Sequence, residues 1–246
     1  MLWALLFTLI FSGPESGMIN AKFKKHVKKY VVEKERKDQI LILVKFFEKE
    51  SKALRKKEKK SMTQLAELNT SKTTTTEQFQ EFFNQVMIDR TKMNDIKLET
   101  RMKVQQLIEP SEWDQIVTAS KAYWNKNEKK RAKQISKLKK SFLKTELKIE
   151  KTITDPHRQQ KALAIVRQFK DEVVRIEKAI DDVNINNKTA MGNLNATESE
   201  IAEMIKQIYD LQWQLFENYK TNHLQLVEIT TDQEWDKIVK SLNKIF

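Results

Sequence analysis

Cysteine is absent from this 246-residue chain, and glycine and proline are nearly so, at three residues each. Without Cys there are no disulfides, zinc ribbons, thiol nucleophiles or thiolate-held clusters. Sandwiches, barrels and α/β folds need Gly and Pro at their many turns, and so few breakers exclude them. Three His and three Gly also leave little for a histidine-rich metal site or a phosphate loop. The composition therefore predicts an all-α chain. The expected architecture is an elongated antiparallel four-helix bundle, or set of coiled-coil hairpins, built from two repeated halves.

Charge is plentiful and uneven. Lys and Arg number 46 against 34 Asp and Glu, a formal charge of +12. Residues 1–150 hold 33 basic and 19 acidic side chains; residues 151–246 hold 13 and 15. The richest stretch, Lys121 to Lys148, has eleven basic residues against Glu128 and Glu146. From it Lys129, Lys130, Arg131, Lys133, Lys137, Lys139 and Lys140 are candidate partner-binding residues. Lys52, Arg55, Lys56, Lys57, Lys59 and Lys60, diluted only by Glu58, form a second candidate cluster. Such polarity suits an acidic protein, anionic lipid or nucleic acid; the simpler reading is a solvated helix face. Lys outnumbers Arg, the better base and phosphate fork, and aromatics do not alternate with the clusters as a stacking groove requires.

At the N-terminus, Leu2 to Phe11 is almost wholly apolar and Ser12-Gly13-Pro14 ends the run. The run is too short to span a bilayer but fits the apolar core of a secretory signal, so residues 1–17 read as a signal peptide or short anchor. No basic residue precedes it, no Ala-x-Ala follows, and Lys22, Lys24, Lys25, Lys28 and Lys29 come soon after. The expectation is export to a periplasm or cell envelope.

A repeat organises the remainder. Glu112-Trp113-Asp114-Gln115-Ile116-Val117 returns as Glu234-Trp235-Asp236-Lys237-Ile238-Val239, an offset of 122. Ungapped, that offset pairs 27–124 with 149–246 and gives 15 identities in 98 pairs. Two homologous halves, 18–125 and 126–246, follow; convergent helix patterning plus one chance hexapeptide is the competing account. Ala162, Val166, Phe169, Val173, Ile176, Ile180 and Val183 step by four and three, an a/d seam. Its first-half partner, Ile40, Val44, Phe47, Ser51, Leu54, Glu58 and Ser61, decays into the Lys cluster. Polar loops are expected at Asn69–Thr76 and Asn184–Thr197, with Thr75 or Thr76, Asp155 and Thr197 as N-caps. Ser111 and Thr230–Asp232 fit as caps of the helices that follow them. Glu112 to Thr154 contains no breaker and reads as one helix joining the halves.

Chemistry is sparse. Glu112 and Asp114 point apart on a helix, so they cannot share a proton or a metal. An acidic first turn that meets free N–H groups explains them, with Trp113, Ile116, Val117 and Trp235, Ile238, Val239 as buried faces or, if functional, a repeated docking knob. No Glu-x-x-His tetrapeptide, nucleophile elbow or dinucleotide glycine pattern occurs, so no enzyme, cofactor or metal is expected. Asn-x-Ser/Thr triplets at Asn69, Asn187 and Asn195 fall in expected loops.

Ile229-Thr230-Thr231-Asp232-Gln233 resembles the Leu-Thr-x-x-Gln motif of small all-helical periplasmic stress proteins of Gram-negative bacteria. That resemblance implies an ATP-independent chaperone or envelope-stress regulator. The first-half counterpart, Leu107-Ile108-Glu109-Pro110-Ser111, lacks the motif, and this chain is longer than those proteins usually are. Together these features suggest a non-enzymatic exported binding protein acting as chaperone, adaptor or scaffold. The alternative is a cytoplasmic or membrane-apposed coiled-coil binder of nucleic acid or anionic lipid. An exposed apolar seam could also be covered by a second copy of the chain.

Overall fold

Helix formers fill the chain between few breakers, and the computed structural model is all-α over the residues it describes. These are Ile19 and residues 22–243, with side chains up to Val239. The apolar run of 1–17 lies outside them. Seven helices and no strand occur among the described residues: α1 (Phe23–Tyr30), α2 (Lys34–Thr70), α3 (Thr76–Leu107), α4 (Pro110–Thr152), α5 (Pro156–Gly192), α6 (Glu198–Ile229) and α7 (Asp232–Asn243). Five are long: two in each hairpin and, joining them, α4, which runs unbroken for 43 residues, about 65 Å. The boundary expected between residues 125 and 126 falls inside it.

α2 and α3 form one antiparallel hairpin, α5 and α6 a second, and α3 packs on α6. The hairpins lie tip to base. At the first tip, Thr70 O accepts from Trp235 Nε1 at 3.0 Å, and Lys72 reaches Thr230 O and Asp232 beside the start of α7. At the second tip, Gly192 O accepts from Trp113 Nε1 at 2.7 Å, and Arg101 donates to Asn193 O at 2.8 Å. Both indoles are 1% exposed. Arg101 lies over the Trp113 ring at 3.9 Å, while His223, 122 residues later, meets the Trp235 ring edge-on at 5.1 Å.

That offset runs through the helix ends as well. Lys34–Thr70 stands against Pro156–Gly192, and Thr76–Leu107 against Glu198–Ile229, each pair shifted by 122. Arg36 pairs with Glu112 and Arg158 with Glu234 at the same shift. Thr75–Gln78 and Thr197–Glu200 are matching capping boxes. α7 corresponds to the start of α4, and α1 to its end, by the same numbering.

The cores follow the seam. Ala162, Val166, Phe169, Val173, Ile176 and Ile180 are buried with Phe79, Phe83, Phe142, Phe216, Tyr219 and Trp235, while Val183 is half-buried. A smaller core joins Phe23, Val27, Ile40, Val44, Val104, Trp113 and Ile116 at the base of the first hairpin.

Local readings differ from expectation at four places. Glu109, not Ser111, caps α4, because Pro110 takes the N1 position and Glu112 closes a capping box on Glu109. The loop expected over Asn184–Thr197 is helical to Gly192 and turns only at 193–197; the first tip likewise turns at 71–75. Asn69 is therefore helical and buried against the Tyr219 hydroxyl, and Asn187 is helical and buried, leaving Asn195 as the exposed loop triplet. The break between α1 and α2 contains neither Gly nor Pro. A carboxylate 80 residues away makes it, since Glu112 Oε1 accepts from Val32 N–H at 2.9 Å.

Candidate binding surface

α4 sets the surface. Leu138, Phe142 and Ile149 turn inward with Ser141 and Thr145, which fixes the opposite side of the same helix as solvent-facing. On that side Lys129, Lys130, Lys133, Lys137, Lys139 and Lys140 are all exposed, and Lys144 and Lys151 continue the row. None of these eight forms an ion pair with a described residue, and between Lys129 and Lys151 the only exposed carboxylate is Glu150. Glu146 is buried, accepting from Arg167 at 2.9 Å and Lys170 at 3.1 Å. Burial would raise its pKa, but those two cations hold it below the ordinary carboxylate value.

Arg131 does not belong to this face. It turns inward, Nη2 on Glu177 Oε2 at 2.8 Å and Nε on Asp181 Oδ1 at 2.7 Å. Burial raises both carboxylates above their usual values although Arg131 opposes the change. This polar crossing between α4 and α5 borders a cavity of about 260 Å³ lined by Trp124, Asn127, Glu128, Asp181, Asn184 and Lys188.

The second cluster lies on α2. Lys52, Arg55, Lys56, Lys57, Lys59 and Lys60 are exposed; Lys57 pairs with Asp89 of α3, while Arg90 of α3 offsets Glu58, so one of the six cations is neutralised by an ion pair among the described residues. The structure thus puts the two clusters on different helices and leaves the α4 row the less neutralised.

The apolar positions of the repeated hexapeptide face inward, while Asp114, Gln115, Asp236 and Lys237 are exposed. Trp113, Ile116, Trp235, Ile238 and Val239 are buried and Val117 is half-buried against Gly192. Glu112 and Glu234 each accept the backbone N–H of the residue three positions earlier, together with an Arg. These carboxylates are engaged in capping and in an ion pair with Arg36 or Arg158. Ile229–Gln233 forms the α6–α7 junction, where Thr231 caps α7 through Glu234 N–H.

Comparison with known protein families, curated proteins and solved structures finds no match. The assignment therefore rests on the surface.

Two residues of that surface lie outside the charge pattern. Leu143 and Leu147, one turn apart on the outward side of α4, are each 55% exposed. Sequence periodicity hides them, because Leu is expected in a seam and only the observed phase of Leu138, Phe142 and Ile149 shows that these two face away. Among the described residues no group of His, Asp or Glu gathers as a metal set, and no helix is long and apolar enough to cross a membrane.

Proposed function

We propose that this chain is a non-enzymatic binding protein made of two homologous halves, and that it works through the outward face of α4. The carrying observation is the row of eight exposed, unpaired lysines from Lys129 to Lys151 on one rigid helix. A long helix fixes the spacing of these charges and so favours an extended acidic partner over a point ligand. The halves are supported by helix ends and part-buried Arg–Glu pairs that recur 122 residues apart. In this reading residues 1–17 direct export, and the protein acts in a cell envelope as chaperone, adaptor or scaffold for other proteins, as the resemblance to helical periplasmic stress proteins suggests.

The test is fractionation of native cells with intact-mass measurement, followed by crosslinking from cysteines placed at Lys133 and Lys140. A trimmed chain in the envelope, with crosslinks concentrated at these positions, supports the reading. A full-length cytosolic chain refutes export, and crosslinks that avoid α4 refute the face.

A second reading, polyanion binding inside the cell, draws on the same lysines. It requires affinity that falls steeply as salt rises from about 50 to about 300 mM.

A further inference from the structure

The face of α4 carries more than charge. Leu143 and Leu147 stand at its centre, each more than half exposed, with Lys139, Lys140, Lys144 and Lys151 around them. Leu143, Leu147, Lys140, Lys144 and Lys151 lie on the side of the helix away from Phe142, Thr145 and Ile149, so one flat surface can touch these five together, with Lys139 and the exposed Glu150 at its edge. We propose that this face docks on an anionic lipid bilayer, its lysines on the headgroups and its two leucines in the interface. The proposal rests on the reading of α4 as the binding face and names what lies against it.

Three observations favour a bilayer over other acidic surfaces. The leucines add nothing to phosphate recognition in a nucleic acid, and the row from Lys129 to Lys151 exposes no aromatic ring for base stacking. Two leucines supply little of the apolar core that a protein partner would bury, but as much apolar surface as a helix lying at headgroup depth needs. A helix lying in the plane of a membrane needs a few apolar side chains at headgroup depth and cations beside them, and lysine stems can bend their ammonium groups back to the phosphates. From Lys129 to Lys151 the row extends about 33 Å, long enough to span several headgroups. The inward ion pairs of Arg131 and Glu146 leave the buried side intact whatever the outer side meets.

Co-sedimentation of the full chain with vesicles tests this. Phosphatidylglycerol–phosphatidylcholine mixtures are compared with pure phosphatidylcholine, and heparin serves as a soluble polyanion. Two variants are made: Leu143→Ser with Leu147→Ser, and Lys137→Gln with Lys140→Gln and Lys144→Gln. All these positions are exposed, so helix content by circular dichroism should be unchanged. Binding to anionic vesicles, none to phosphatidylcholine, and a loss of about tenfold or more in each of the two variants support the proposal. Attachment through Leu2–Phe11 instead would ignore headgroup charge and both variants.

Vesicle binding that is indifferent to the leucine changes, or matched by heparin, overturns the bilayer while keeping the basic face. No binding to vesicles or to heparin, even at low salt, overturns the bilayer and the polyanion reading together. Crosslinks from α4 to a soluble protein, with no vesicle binding, leave the face standing and refute only the lipid.

Discussion

Removing the Glu112 carboxylate should unfasten the base of the first hairpin, and the structure sets the scale. Glu112 is 4% exposed and accepts from Val32 N–H at 2.9 Å, Glu109 N–H at 3.1 Å and Arg36 Nη1 at 2.8 Å. Breaking a buried pair by deleting one partner costs about 3–5 kcal/mol. Arg36 keeps Glu33 and the Leu107 carbonyl, so Glu112→Ala belongs near the low end, about 3–4 kcal/mol. Glu234 makes the same Arg and capping contacts but faces a more exposed Arg158, so Glu234→Ala should cost less, about 2–3 kcal/mol. Glu112→Gln retains an acceptor oxygen and should lose about half as much as Ala.

Urea denaturation followed by circular dichroism at pH 7 measures all three. Acid gives a second check. Burial alone would raise the Glu112 pKa, but Arg36 and the Val32 and Glu109 amides outweigh it and hold the carboxyl below its ordinary 4.5. The contribution is therefore complete above that value and is lost as pH falls through the lower folded one. The gap between wild type and Glu112→Ala should close in acid. Equal losses below about 1 kcal/mol for both alanine variants, or a gap that persists in acid, would refute the reasoning.

His223, enclosed by Phe79 at 5.0 Å and Trp235 at 5.1 Å, has its pKa pushed down to about 3 by burial. It stays neutral when folded while the unfolded chain takes up a proton near 6.5, so stability declines as pH falls from about 6.5 toward 3. His223→Phe should flatten that part of a stability–pH curve relative to wild type, and an NMR titration should show no imidazole protonation above about pH 5. Gly192 closes α5 without a positive φ, and a Cβ there would meet only Val117 Cγ1 at 3.4 Å. Gly192→Ala should be neutral or stabilising by up to about 1 kcal/mol in the same denaturation assay, and a loss larger than that would mean that the second tip needs the glycine.

Long breaker-free stretches made α4 legible, and short-range chemistry made the caps legible: Thr75, Asp155 and Thr197 all accept the N–H three residues on. The four–three seam of α5 was readable for the same reason, since its positions repeat regardless of what packs on them. Features written by distant residues were not readable. The α1–α2 break depends on Glu112, and the helical course of Asn184–Gly192 depends on a tip held by Trp113 and Arg101. At the surface, charge could be counted from sequence but not its pairing. Arg131 looked like its lysine neighbours until Glu177 and Asp181 came opposite it, and the outward exposure of Leu143 and Leu147 depends on the phase at which α4 packs.

The two indole bonds are alike in space and opposite in time. During synthesis Gly192 reaches a Trp113 already made, so the second tip can close as soon as it emerges. Thr70 must wait for Trp235, 165 residues later, roughly 8–30 s at ordinary translation rates. Through that interval the end of the first hairpin lacks its contact with α7, and Asn69, Phe79 and Phe83 wait for Phe216, Tyr219 and His223 of α6, made shortly before Trp235. Two contacts of equal geometry thus give the nascent chain one early lock and one late one, and chaperone dependence or aggregation during synthesis should begin at the first tip.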